Sequence, residues 1–217
     1  MKKSILLGLF FALGFTGNAN AELVYQQGAE IFAQDFENGL GENETMTGKF
    51  SLFENVSGDT VMGHKTSYGD VNNDNYSITL DLTGWSNILI SYNAGGITES
   101  SYDYFKFSVK SQQMGTVVKY NSSGSIAGTN YSFDLSQFSG QLVTLTWNFT
   151  SDYGGYRPGI YVDDVSIVGD GFVENNPNPS IPGGGDGSLA VPVTLPLLGF
   201  MGLGLLGFAR RRQAVSC

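Results

Sequence analysis

The chain has 217 residues, 41% of them hydrophobic and 13% aromatic, and its 20 Asp and Glu outnumber its 11 Lys and Arg for a formal net charge of −9. All 20 acidic residues lie between Glu22 and Asp186, and so acidic a body repels phosphate backbones and excludes nucleic acid as a partner. The single cysteine, Cys217, cannot form an internal disulfide, so the core, alone or with a metal, has to hold the fold.

The chain opens on Lys2 and Lys3, the apolar run "ILLGLFFALGF" and the small-residue site Ala19-Asn20-Ala21. This is the pattern of a secretory signal peptide over residues 1–21, with the mature chain starting at Glu22. The run is shorter than the roughly 20 residues that cross a bilayer. Glu22, not a cysteine, directly follows the cleavage site, which argues against a lipid-anchored route.

Residues 22–170 amount to one domain. Apolar and polar residues alternate in "IFAQDF", "KFSLFENV", "YSITLDL", "NILISYN", "YFKFSVKS", "TVVKY", "YSFDL", "LVTLTWNF" and "GIYVDDVSIV", with Gly- and Asn-rich turns between them. Period-two patterning without a long helical period predicts an antiparallel β-sandwich or barrel.

Several stretches invite chemistry. His64, the only histidine, lies in "VMGHKTSYG" with no cysteine or second histidine to complete a zinc site, and reads as a surface loop residue. In "GDVNNDNYSITLD", Asp70, Asn72, Asp74 and Asp81 follow the spacing of an EF-hand loop. However, Asn75 stands where that loop wants glycine, no helix flanks it, and a strand would carry Asp81 away. Trp85 follows "LTG" at a turn, and Tyr153, Tyr156 and Arg157 share the loop "SDYGGYRPG". Aromatic rings exposed on loops stack against sugar faces, which makes these four the candidate ligand-binding residues. Trp147, alternating with Val143 and Leu145, reads as core. No Gly-x-Ser-x-Gly turn supports a nucleophile. Carboxylates such as Glu54, Glu99 and Asp103 could pair as in a glycosidase only if the fold brings them across a cleft.

On the closing strand Asp163 and Asp164 stand between Val162 and Val165. A regular pleat sends one of the two carboxylates to each face, so one meets the interior and needs a partner. The opening "DFENG", the central "YDYFKFSV", "SFDLSQFSGQLVTLTWNF" and the closing "GIYVDDVSIVG" together resemble the jelly-roll sandwiches of the MAM and choice-of-anchor type, related in architecture to many carbohydrate-binding modules. The resemblance implies an all-β, antiparallel jelly-roll β-sandwich. It also implies a structural calcium ion between the opening Phe-Glu and the closing Asp-Asp, with Glu37 and Asp164 as ligands and Asp35 and Asp163 beside them.

Residues 171–190 read as a Pro/Gly/Asn-rich linker. The run "VPVTLPLLGFMGLGLLGFA" from Val191 to Ala209 is uncharged, of spanning length, and followed at once by Arg210, Arg211 and Arg212, with residues 213–217 as a short tail. A Val191-Pro192 opening, a Leu/Gly-rich helix and an arginine cluster resemble the PEP-CTERM sorting signal, whose bearers are handled by an exosortase, a membrane transpeptidase. The chain reads Val193-Thr194 where that family has Glu-Pro, and its Gly183–Gly185 run with Ser188 also resembles the GlyGly-CTERM signal of a rhomboid-type protease. A permanent anchor is the third reading. The expectation is an exported, non-enzymatic β-sandwich that sits transiently in the inner membrane and then at the cell surface or in the matrix, binding exopolysaccharide. The alternatives are a small carbohydrate-active enzyme and a permanently anchored protein-binding module.

Overall fold

The computed structural model describes residues 22–175, which form eleven strands and one short 3-10 turn, Ser136–Phe138. The strands are β1 Glu22–Gln34, β2 Glu44–Thr47, β3 Ser51–Glu54, β4 Thr60–Gly63, β5 Asn73–Asp81, β6 Ser86–Ile97, β7 Tyr104–Ser111, β8 Gly115–Ser122, β9 Ser125–Asp134, β10 Leu142–Thr150 and β11 Gly159–Asn175. They make two antiparallel sheets. A six-stranded sheet runs β3-β4-β11-β6-β9, with β1 also on β11, and a five-stranded sheet runs β2-β5-β10-β7-β8. The described residues are therefore all-β, in two packed sheets.

The alternation read from the sequence is what builds the core. On β10, Val143, Leu145, Trp147 and Phe149 are buried while Thr144, Thr146, Asn148 and Thr150 face outward. β5 does the same with Tyr76, Ile78 and Leu80, and β6 with Ile88, Ile90 and Tyr92. The two inner faces meet at Tyr92 of β6, whose ring lies 5.3 Å from both Phe107 of β7 and Trp147 of β10. Each such buried side chain contributes about 1.5–3 kcal/mol, which is how the fold stands without a disulfide.

The longest strand organises the first sheet. β11 pairs with β6 along one edge, from Gly159↔Ile97 to Asp170↔Ser86. Its other edge is shared: β4 takes Tyr161 and Val162, and β1 takes Val165 to Asn175. The first and last strands thus lie side by side.

Two sequence expectations need correction here, and two short strands lie outside the alternating windows. The domain does not stop at residue 170, because β11 runs on to Asn175 and Phe172 packs edge-on against Tyr25 at 5.4 Å. β2 and β4 carry no recognisable alternation, each being four residues long. In β2 the first inward position belongs to Glu44, whose carboxylate is satisfied by the Tyr76 hydroxyl, by the Gln34 side-chain amide at 2.7 Å and by the Gly41 amide. Finally, neither closing aspartate faces the interior. A β-bulge between Asp163 and Ser166, with Asp164 at φ 50°, inserts an extra residue, so Val162 and Val165 are both buried while Asp164 is exposed and Asp163 half-buried on the outer side.

The signal-peptide residues Ala19 and Ala21 and the sorting-signal residues Val191, Pro192, Arg210, Arg211 and Arg212 lie outside the described residues.

Candidate functional site

One end of the sandwich gathers three connections: residues 64–72 before β5, residues 98–103 between β6 and β7, and residues 151–158 between β10 and β11. Their hub is Asp103, which is wholly buried. Its carboxylate accepts the Tyr68 hydroxyl, the Asp152 amide at 3.1 Å and the Glu99 amide at 3.3 Å, one donor from each segment. Burial first, then the hydrogen bond to Asp103, pushes the Tyr68 phenol well above its ordinary value, so it remains a donor. Carboxylate oxygens of Glu99, Asp103 and Asp152 all lie within 4.8 Å of one another, the one such acidic trio among the described residues. Three oxygens at that spacing are the donor type a hard cation takes, although two of these side chains also reach solvent.

The 151–158 loop is fastened twice more. Asp70 accepts the Gly154 amide at 2.7 Å and the Tyr156 hydroxyl at 3.1 Å, and the Tyr156 phenol is raised by that hydrogen bond and by the Asp70 charge. Val71 donates to the Asp152 carbonyl at 2.8 Å, and the Ser151 hydroxyl reaches the Gly69 carbonyl at 3.0 Å. Gly155, at φ +64°, is in the left-handed region that favours glycine, and a Cβ there would fall 1.6 Å from a Glu99 carboxylate oxygen, so any other residue must push the Glu99 side chain aside. Above this bracing stand three exposed rings: Tyr153 at 83% exposure, Tyr102 at 60% and Tyr156 at 58%. Arg157 is exposed beside them, its guanidinium 3.4 Å from the Tyr156 carbonyl. The structure therefore exposes the predicted Tyr153, Tyr156 and Arg157 on one braced loop, and exposes Tyr102, which follows two serines and carries no distinguishing sequence signal, on the neighbouring 98–103 connection.

Trp85 does not join them. It is 3% exposed, and its ring lies against β11 at Gly171, where a Cβ would come within 2.6 Å. The turn after "LTG" points the indole inward beneath the β1–β11 ribbon rather than outward, so its face is unavailable to a sugar.

His64 is likewise not a surface residue: it is 6% exposed, between Phe149 at 4.7 Å and Phe50 at 5.0 Å. Its Nδ1 accepts the Ile160 amide at 3.2 Å, so the proton sits on Nε2, which donates to Asp74 at 2.9 Å. Asp74 also accepts the Lys49 amide at 2.7 Å. Both Asp74 oxygens are thus committed within the protein. With Asp81 carried to the far end of β5, the oxygens of the EF-hand-like spacing do not converge. The pair joins β4 to β5 across the two sheets and is structural.

The predicted calcium ligands lie where β11 exchanges β1 for β4. Glu37 accepts the Thr60 amide at 2.6 Å and its hydroxyl at 3.1 Å. Asp35 accepts the Glu37 amide at 3.1 Å, and Asp164 accepts the Asn93 side-chain amide at 2.7 Å. Asp163 is the perturbed member. Partial burial, ahead of the like charges of Asp164, Asp59 and Glu37, pushes its carboxyl up to about 6 against the pull of the Asp164 amide. The four therefore share one neighbourhood but are spent mainly on nearby backbone and side-chain donors.

No known protein family matches the chain, and no curated protein matches it. Solved structures do. The TmCBM61 module in complex with β-1,4-galactotriose aligns at 13% identity over 61% of this chain and 92% of its own, with a TM-score of 0.45. The K3 cleaved adhesin domain of Lys-gingipain from Porphyromonas gingivalis aligns at 11% identity over 64% and 98%, with a TM-score of 0.47. The CBM22-1 xylan-binding domain from Paenibacillus barcinonensis Xyn10C aligns at 13% identity over 66% and 96%, with a TM-score of 0.43.

Proposed function

We propose that the chain is an exported, non-catalytic β-sandwich of jelly-roll type that binds an extracellular polysaccharide at the cell surface, where its C-terminal sorting signal delivers it. The observation that carries this reading is the exposure of Tyr102, Tyr153 and Tyr156 on loops that Asp70 and Asp103 hold rigid. A tyrosine offers a large flat face at low conformational cost, and a braced loop has already lost the freedom that binding would otherwise remove. The non-catalytic part is supported by the fate of the ionisable groups: Asp103 is consumed by three donors, and His64 is buried with Asp74. The calcium ion implied by the resemblance belongs to the same reading, with Glu37 and Asp164 as its ligands and Asp35 and Asp163 beside them. What supports it is that β1 and β11 lie side by side, so the turn after β1 with Asp35 and Glu37 comes to the same end of the sheet as Asp163 and Asp164.

The experiment is affinity electrophoresis of the purified full chain through a panel of polysaccharides. Retardation by at least one polymer is expected; Tyr153→Ala, whose hydroxyl fastens nothing among the described residues, should weaken it while leaving the melting temperature unchanged, and Tyr153→Ala with Tyr156→Ala should abolish it. Retardation that survives both substitutions would refute the role of the loop. The enzymatic alternative keeps one observation in its favour, the closeness of Glu99 to Asp152. Turnover of a glycan that disappears in Glu99→Gln would establish it instead.

A further inference from the structure

The outer face of the five-stranded sheet is unlike the rest of this acidic surface. The register sets its side chains in rows across the strands. One row is Thr47, Asn75, Asn148, Lys106 and Asn121, and the next is Thr45, Ser77, Thr146, Ser108 and Val118. A third holds Thr79, Thr144, Lys110 and Thr116. Neighbouring strands place these groups about 4.8 Å apart. Val118 aside, each carries an amide, hydroxyl or ammonium, and some already bond across strands, as Asn148 does to Asn75 at 2.9 Å and Ser77 with Thr146 at 3.0 Å. Asp74 and Glu44 belong to the same strands but point inward, and the face's one carboxylate, Asp81, stands at its margin.

The face also carries two of the body's six cations. Lys106 and Lys110 lie on the same side of β7, about 13 Å apart at strand spacing. Neither has a carboxylate partner among the described residues, where the one ion pair is His64 with Asp74. Lys106 instead lies over the Tyr104 ring, 5.8 Å from its centre. At the Asn73–Thr150–Tyr104 row the face runs directly into the loops that carry Tyr102 and Tyr153.

From this charge complementarity and this continuity, we infer that the outer face is a polysaccharide track selective for carboxylate-bearing, uronate-type chains, with Lys106 and Lys110 as the selecting groups. The inference deepens the glycan-binding reading above and rests on it. Excluding acids from this one face matters because exposed charges act over a Debye length of about 8 Å, so the local lysines outweigh the distant carboxylates.

The test measures binding of the full chain to alginate, a polyuronate, and to the same polymer with its carboxyls reduced. Wild type should favour the charged form, and raising salt should erase the preference. The Lys106→Ala, Lys110→Ala double variant should lose about tenfold in alginate affinity and nothing toward the reduced polymer. Thr146→Glu, which places a carboxylate mid-face on an outward position, should do the same without changing the melting temperature. Unaltered alginate binding in the double variant overturns the inference, as does equal, lysine-dependent binding of a single-stranded polynucleotide. Failure of the loop reading shows differently: Tyr153→Ala and Tyr156→Ala would then leave both polymers bound while the lysine variants still discriminate.

Discussion

Replacing Asp74 by alanine probes the buried junction between β4 and β5. The side chain is almost fully buried and accepts two hydrogen bonds, from the Lys49 amide at 2.7 Å and from His64 Nε2 at 2.9 Å. Its removal leaves two donors unpaired, and each unpaired buried donor costs about 1–3 kcal/mol. The sum is about 2–6 kcal/mol, and at roughly 2–4 °C per kcal/mol the middle of that range lowers the melting temperature by about 8–16 °C. The assay is thermal unfolding followed by circular dichroism, with and without chelator. Because both Asp74 oxygens are held by protein donors, the drop should be the same in the two buffers. A drop smaller than about 2 °C would mean that solvent or a local rearrangement satisfies His64 and Lys49 cheaply, and the junction would not be the clamp described here.

Asp163→Asn should stabilise the protein at pH 7 and leave it unchanged below pH 4. A carboxyl raised from 3.8 to about 6 on folding holds its proton longer in the native state, so its stability contribution is complete below the unfolded value and lost as pH rises through about 6. After allowance for solvent screening of this part-exposed group the gain is about 1 kcal/mol, read as a shift of roughly 2–4 °C in pH-dependent melts. Saturating calcium should raise the melting temperature by about 5–11 °C, since a hundredfold excess over the dissociation constant adds about 2.7 kcal/mol. Glu37→Gln and Asp164→Ala should lose that rise and Asp70→Ala keep it, whereas a rise lost only in Asp152→Asn would place the ion at the loop trio. Mass spectrometry of the surface-located protein from its own host should find no peptide spanning Leu198 to Phe208, and finding one would make the anchor permanent.

What the sequence made legible was the set of strands whose inward residues are apolar at every second place. All nine alternating windows lie within or overlap observed strands, because the pleat and the core ask for the same pattern. β2 stayed hidden because the first of its two inward positions is a glutamate, acceptable only with Gln34 and Tyr76, 10 and 32 residues away, at hand. His64 reads as a loop residue because its neighbours Lys65, Thr66 and Ser67 are polar, while the aromatic box that buries it comes from β10 and the segments around Phe50 and Tyr68. The bulge at Asp164 defeats any strict two-residue rule. Tyr153 and Tyr156 were legible from the glycines and proline around them. Their fastening to Asp70 and Asp103 was not, since it joins positions 84 and 49 residues apart.

β11 begins just after the tyrosine loop and ends where the described chain does, so a single strand runs from one pole of the sandwich to the other. Tension between a polymer held at residues 151–158 and anything attached beyond Asn175 is therefore directed along the axis of β11. Its ladders to β6 and β1 have hydrogen bonds perpendicular to that axis. Such a load shears many rungs together instead of peeling them one by one, because the strand that joins the two poles is clamped along both edges.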